Sequence, residues 1–231
     1  FCTAEEYEEG SKSRWLPRLG IQFHFENPGY SDFAAFTNQL SARKRKAVLK
    51  ERREGQRDLQ IQALSGADLK EEHLDLLFRC YSDTCNRKWG RAALTRDFFL
   101  LLGERMAEQV VLMVASRNGK HLAAALNFRG STALFGRNWG ALEDIPFLHF
   151  ELCYYQAIQY AIEHGLQRVE AGAQGFHKVA RGYLPRLTYS LHWIADPNFR
   201  TVLDQVLQQE RAEIVQQRQL LEEEHSPYRK G

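Results

Sequence analysis

The dipeptide Asn118-Gly119 restricts this chain more than any other two residues. It is a tight-hairpin signal, because both central positions of that turn require φ > 0. Before it lies Gln109-Val-Val-Leu-Met-Val-Ala-Ser-Arg117, an almost continuous apolar run of the kind a buried central strand presents. After it, His121 to Phe128 forms the return strand. Gly130-Ser131 turns the chain again and Thr132 to Arg137 makes a third strand. Three strands joined by tight turns are an antiparallel meander. Residues Phe147 to His164 then read as a helix rich in aromatics, stopped by Gly165. Gln167 to Ala171 follows as a strand. A strand reached through a helical crossover runs parallel to the one it left.

The flanking segments fit round this centre. GIQFHFEN (19–26) alternates, with Ile21, Phe23 and Phe25 on one face, and has no evident strand partner. Asn27-Pro28-Gly29 ends it. Ser31 or Asp32 caps a helix expected to run unbroken past Val48, with Phe33, Phe36 and Leu40 on its inner side. Leu59 to Ala63 is a short strand, and Leu69 to Tyr81 and Arg96 to Met106 are helices. Leu187 to Ile194 alternates as a strand. Asp196-Pro197 opens a long charged helix over 198–224. Residues 1–18 show no clear period and are expected as a loosely ordered lead-in. The expected division is 1–18 lead-in, 19–56 a strand and basic helix linking to a preceding half, and 57–231 the main domain. The whole is α+β: a mixed sheet with meander, crossover helix and flanking helices.

Composition excludes several classes. No apolar run approaches the roughly 20 residues of a membrane-spanning helix. The opening residues are too acidic for a signal peptide, so a cytoplasmic location is expected. Cys2, Cys80, Cys85 and Cys153 are scattered and give neither a disulfide framework nor a metal knuckle. No His and Cys spacing suggests a metal site.

Chemistry concentrates between Leu134 and Pro185. Arg137, Asn138 and Trp139 end one strand. Glu170, Gln174, His177, Lys178 and Arg181 follow the next. The helix between them adds His149, Glu151, Tyr154 and Tyr155. Amide formation on an amine needs a base for the ammonium proton and donors for the developing oxyanion. His149, Glu151, Glu170 and His177 are the candidates for catalytic work. Arg137, Trp139, Tyr155, Gln174, Lys178 and Arg181 are candidates for substrate binding. Glu151 also has a structural reading, as an ion-pair partner of Arg137 or Arg181. The run Gly172-Ala-Gln-Gly-Phe-His-Lys178 interleaves glycines with polar groups, as a backbone shaped around a ligand does. Away from this stretch, Arg43, Lys44, Arg45 and Lys46 open a basic helix that is either a solvated face or an anion-binding surface for RNA or a phosphorylated substrate. Trp89, between Lys88 and Gly90, reads as a core lid.

The order of elements is that of an acyltransferase domain of the GNAT type, an analogy of fold alone. Such domains hold acetyl-CoA through a glycine-rich loop at the start of the crossover helix. Here that place reads Ala141-Leu-Glu-Asp-Ile-Pro146, with two acids and a proline. No bound cofactor is therefore expected within the chain, although acetyl-CoA and aminoacyl-tRNA both stand as possible acyl donors.

QFHFEN (22–27), SARKRKAVLKERR (41–53), RKWGR (87–91), LFGRNWG (134–140), LHFELCYYQAI (148–158), EAGAQGFHKVARGYLP (170–185) and HWIADPNFR (192–200) together resemble a bacterial family described as FemAB-like, or peptidoglycan biosynthesis/recognition proteins. The resemblance covers about Arg18 to Lys230. It implies a protein of two GNAT-like halves, of which this chain, beginning at Phe1 rather than Met, would be the second. It also implies transfer of an amino acid from aminoacyl-tRNA to the amine of a peptidoglycan precursor, with tRNA or a phosphorylated cell-wall precursor as partner. The family pattern has a glutamate where this chain has Phe176, which implies either a lost general base or an altered specificity. A non-catalytic recognition module and an acetyl-CoA-dependent N-acetyltransferase are the alternative readings.

Overall fold

The computed structural model describes residues 1–88 and 90–229, so the reading of Trp89 lies outside the described residues. In chain order come α1 (Ala4–Ser11), β1 (Leu16–Glu26), α2 (Phe33–Gln39), α3 (Ala42–Gly55) and β2 (Gln60–Leu64). Next are α4 (Glu71–Lys88), α5 (Arg96–Met106), β3 (Val110–Arg117), β4 (Lys120–Arg129) and β5 (Ala133–Ala141). The crossover consists of α6 (Leu148–Phe150), a π turn (Glu151–Tyr155) and α7 (Gln156–Glu163). Then β6 (Arg168–Glu170), a 3₁₀ turn (Phe176–Arg181), β7 (Leu184–His192) and α8 (Pro197–His225) complete the chain. The architecture is α+β with strands of both orientations and flanking helices.

The chain divides into two compact units. The larger holds Phe25–Ala171 and the stretch from Tyr228; the smaller holds Phe1–His24 and Gly172–Pro227. In the larger unit the strands lie in the order β2-β3-β4-β5-β6. The pairs from β2 to β5 are antiparallel, and β6 runs parallel to β5, as the crossover requires. β3 is buried along Val110–Ser116, which is what an all-apolar strand demands. On one face Leu112, Val114 and Leu126 pack with Leu77, Tyr81 and Phe99 of α4 and α5. The alternate residues of β3 point to the other face, where the π turn lies against β3 and β4.

Gly140 explains how closely α4 can approach. A Cβ placed there would lie 2.2 Å from the carbonyl oxygen of Cys80. The glycine that stands where a coenzyme loop would begin is thus needed for helix–strand packing.

The expected single helix after Pro28 is two. Leu40 is extended (φ −75°, ψ 150°), fully buried, and bridged to Tyr228, so packing at Leu40 outweighs helical continuity. Arg229 donates its N–H to Gln39 O at 3.0 Å and reinforces the break.

In the smaller unit β1 pairs antiparallel with β7, from Leu16 opposite His192 to His24 opposite Leu184. The first strand therefore has a partner, and it lies at the far end of the sequence. The expectation of a loose lead-in is also corrected. Thr3 accepts from the Glu6 N–H at 3.2 Å while the Glu6 carboxylate accepts from the Thr3 N–H at 2.8 Å, a capping box worth about 1 kcal/mol. Tyr7 packs on Tyr189 with ring centroids 5.0 Å apart. Gly10 sits so close to Leu191 that a Cβ would fall 2.3 Å from its Cδ1.

Candidate functional site

β5 does not end at Arg137; it continues to Ala141. Ala125 pairs with Trp139 and Asn127 with Gly136, so Arg137 and Asn138 together face only Leu126. This is a β-bulge, which re-aims the side chains beyond it. Trp139 and His149 lie past the bulge with ring centroids 4.7 Å apart, and both line a pocket of about 550 Å³. Phe147 and Phe150 add aromatic wall; Asp83, Arg87, Glu143 and Asp144 add charge. Arg137 itself is exposed, donates to Gly136 O at 3.0 Å and does not line the pocket.

The floor of the crossover is built round Glu151. Gln156 N–H reaches back five residues to Glu151 O, so the helix opens into a π turn here. Such turns gather at functional sites. The Glu151 side chain is fully buried. Its Oε1 accepts from Gln56 at 2.8 Å and from Gln156 at 2.6 Å, with Arg52 Nε 3.5 Å away. Its Oε2 has no hydrogen-bond partner among the described residues. Burial pushes the Glu151 carboxyl above the usual carboxylate range, and the hydrogen bonds and Arg52 oppose that shift. Burial likewise lowers Arg52. Glu151 does not pair with Arg137. Tyr155 is buried too, and its hydroxyl donates to Glu51. Gly55, at the end of α3, is tight against this turn: a Cβ would lie 3.1 Å from Phe147 O and 3.2 Å from Glu151 Cβ. Phe147 holds φ +63°, which few non-glycine residues adopt. Its carbonyl accepts the Glu151 N–H at 2.9 Å. Glu170 accepts from Arg168 Nε at 2.9 Å.

The glycine-rich run belongs to the smaller unit. Gly172, Gly175 and Gly182 all have positive φ. At Gly175 a Cβ would meet the His177 ring at 2.5 Å, so glycine is needed for that ring to fold back. Lys178 and Arg181 are only 5% and 7% exposed. Lys178 Nζ donates to Gly172 O at 3.3 Å and lies 5.7 Å from the Phe23 ring centre. Arg181 donates to His177 O at 2.7 Å. Phe176 is 58% exposed and meets Phe23 edge-on. Gln174 is exposed.

α3 is two-sided. Val48, Arg52 and Gly55 face inward. Arg43, Lys46, Lys50 and Arg53, at successive steps of three, four and three residues, form one exposed stripe about 15 Å long. None of the four has an ion pair among the described residues. Lys44 and Arg45 sit off the stripe, half-buried, and Arg45 donates to Asn38 at 3.1 Å.

The model of the FemAB_like family, described as peptidoglycan biosynthesis/recognition, matches residues 1–230. The chain belongs to the FemAB-like family. No curated protein matches it. Among solved structures it is similar to L-PGS from Bacillus licheniformis (TM-score 0.61, 11% identity, 88% of this chain and 70% of that one). It is also similar to the C-terminal domain of a putative lysylphosphatidylglycerol synthetase from Agrobacterium fabrum (TM-score 0.59, 12% identity, 89% and 70%). FemX is a third (TM-score 0.57, 11% identity, 80% and 64%). At these identities the likeness is one of fold.

The loop after β5 leads into the crossover helix. A coenzyme diphosphate needs bare N–H donors free of carboxylates. Here Glu143 and Asp144 line the pocket just before the crossover helix begins. The loop does not fit a coenzyme diphosphate. The residues missed from sequence are Arg52, Gln56 and Gln156 round Glu151, and Phe147 and Phe150 in the pocket wall. Arg52 carried a readable signal, since it falls four residues after Val48 on the inner side of a basic helix. The π turn carried none. Among the described residues no helix is long and apolar enough to cross a membrane.

Proposed function

We propose that this FemAB-like chain is an acyltransferase that forms an amide on an amine acceptor, with aminoacyl-tRNA as donor and a peptidoglycan precursor as acceptor, working in the cytoplasm. The observation that carries the reading is the two-sided α3. Its outer stripe of cations suits the phosphates of a donor RNA, while its inner residues Arg52 and Gly55, with Gln56 just after it, brace the turn that follows the pocket-lining residues Leu148, His149 and Phe150. The acid-lined loop after β5 argues for a donor other than acetyl-CoA.

In this reading the acceptor nitrogen attacks the ester carbonyl of the charged tRNA. A C–N bond forms and the C–O bond to the ribose breaks. The proton lost by the amine passes through a base to the ribose oxygen that leaves. His149, which lines the pocket beside Trp139, is the base we assign. Glu151 is a positioning residue, because its carboxylate is buried among Arg52, Gln56 and Gln156. Lys178 and Arg181 shape the 3₁₀ turn.

Fluorescence anisotropy with charged tRNA tests the donor. Binding should weaken with salt, and the slope of log K against log salt should shrink by up to about 3–4 on reversing all four stripe charges. Undiminished binding by that variant would remove the donor assignment. Phe176 favours a second reading, a recognition module without turnover: it is 58% exposed, at a position where the resemblance implies an acid. Amide formation that appears only in Phe176→Glu would select that reading.

A further inference from the structure

The pocket after β5 has a chemistry of its own. Its volume, about 550 Å³, is that of a small-molecule site. Three carboxylates line it, Asp83, Glu143 and Asp144, against one guanidinium, Arg87. Arg87 is engaged, with its Nε 2.8 Å from Asp83. Glu143 is held from outside the pocket by Arg117 at 3.1 Å and Lys120 at 3.7 Å. That leaves Asp144, exposed and with no ion pair among the described residues. The remaining wall is aromatic: Trp139, Phe147 and Phe150, with the His149 ring beside Trp139. Aromatic faces attract cations and repel anions. Carboxylates do the same. A phosphate or carboxylate ligand would meet repulsion from both.

We propose that this pocket is a subsite for an organic ammonium group, with Asp144 as its counter-ion and Trp139, Phe147 and Phe150 as its walls. The proposal rests on reading the pocket as the acceptor side of an amide-forming reaction. A protonated amine delivered there lies beside His149, which would take its proton before the nitrogen attacks. The backbone at Phe147 serves this arrangement. Its positive φ, buttressed by Gly55, sets the aromatic ring at the pocket rim.

The probe is Nα-acetyl-L-lysine methylamide, whose side chain ends in an ammonium, compared with its Nε-acetylated form, which is neutral and bulkier at that end. Isothermal titration on the full chain should show binding of the cationic probe and at least about tenfold weaker binding of the neutral one. Asp144→Asn, at an exposed position that the fold does not need, should weaken the cationic probe about fivefold and leave the neutral one unchanged. Trp139→Leu should weaken it as well. Equal affinity for the two probes, or an Asp144→Asn variant that binds the cationic probe as well as the parent does, would overturn the subsite. Amide formation is measured separately on the same samples. Turnover with an Asp144-insensitive probe would sink the subsite and leave the acyltransferase reading. Probe binding as expected with no turnover on any donor would do the reverse.

Discussion

Two segments of this chain carry cations and put them to opposite uses. In α3 the stripe of Arg43, Lys46, Lys50 and Arg53 is exposed and has no carboxylate partner among the described residues. In the 3₁₀ turn, Lys178 and Arg181 are buried and donate to main-chain carbonyls, Gly172 O and His177 O. The first set faces solvent and keeps its field for a partner. The second ties a tight loop together. Cation count therefore does not distinguish a binding surface from a scaffold; burial and the identity of the acceptor do.

Four measurements can break that contrast, ranked by their effect on stability in urea denaturation of the chain. Arg181→Ala should cost most, about 2–4 kcal/mol, because it leaves a buried carbonyl and a cavity behind. A loss below about 1 kcal/mol would make the turn as dispensable as a surface loop. Glu151→Gln comes next, at about 1–2 kcal/mol near pH 5. The folded Glu151 carboxyl is raised above its ordinary value by burial, so its contribution is fully present below the ordinary value. That contribution is lost as pH rises through the raised folded value. The deficit of Glu151→Gln should accordingly shrink between pH 5 and pH 8, and a deficit that grows would show the ion pair with Arg52 to outweigh desolvation.

The combined R43E, K46E, K50E and R53E variant should change stability by only about 0.5 kcal/mol per site or less, while RNA affinity falls at least about tenfold. If that variant unfolds like Arg181→Ala, the stripe is structural and the contrast fails. Smallest is Arg18→Gln, which removes the exposed pair with Glu210, whose oxygens lie 2.7 and 2.8 Å from the guanidinium. A few tenths of a kcal/mol is the expectation, which sets the scale for an exposed cation that does have a carboxylate.

Much of the larger unit was legible in the sequence because its signals are local. The apolar run of β3, the Asn118-Gly119 turn and Gly165 each act through the residues beside them, and each falls where the pattern placed it. The pairing of β1 with β7 was not legible, since nothing near residue 19 specifies a partner beyond residue 183. The break at Leu40 was hidden for the same reason: it answers to Tyr228 and Arg229. At the site, Trp139 and His149 were readable as aromatic and imidazole groups at element ends, and they do meet. Glu151 was readable as an acid but not as a buried one, because its partners come from α3, about a hundred residues earlier. The basic helix was read as one block of cations. Helical geometry divides it, so that Arg43 and Lys46 share a face with Lys50 and Arg53 while Lys44 and Arg45 turn away from it.

The π turn has a consequence for the length of the chain as well as its letters. An α-helix turns about 100° per residue. Removing one residue from 151–155 would let the helix close regularly. The π turn holds one residue more than an α turn, so the helical phases on either side would be kept, with Ile158 and Ala161 still in the core. The change would fall on the turn itself, and with it on the place of Glu151 beside Arg52 and Gln56. A FemAB-like relative with a one-residue gap at this point should keep the core face of the crossover helix and lack the buried carboxylate.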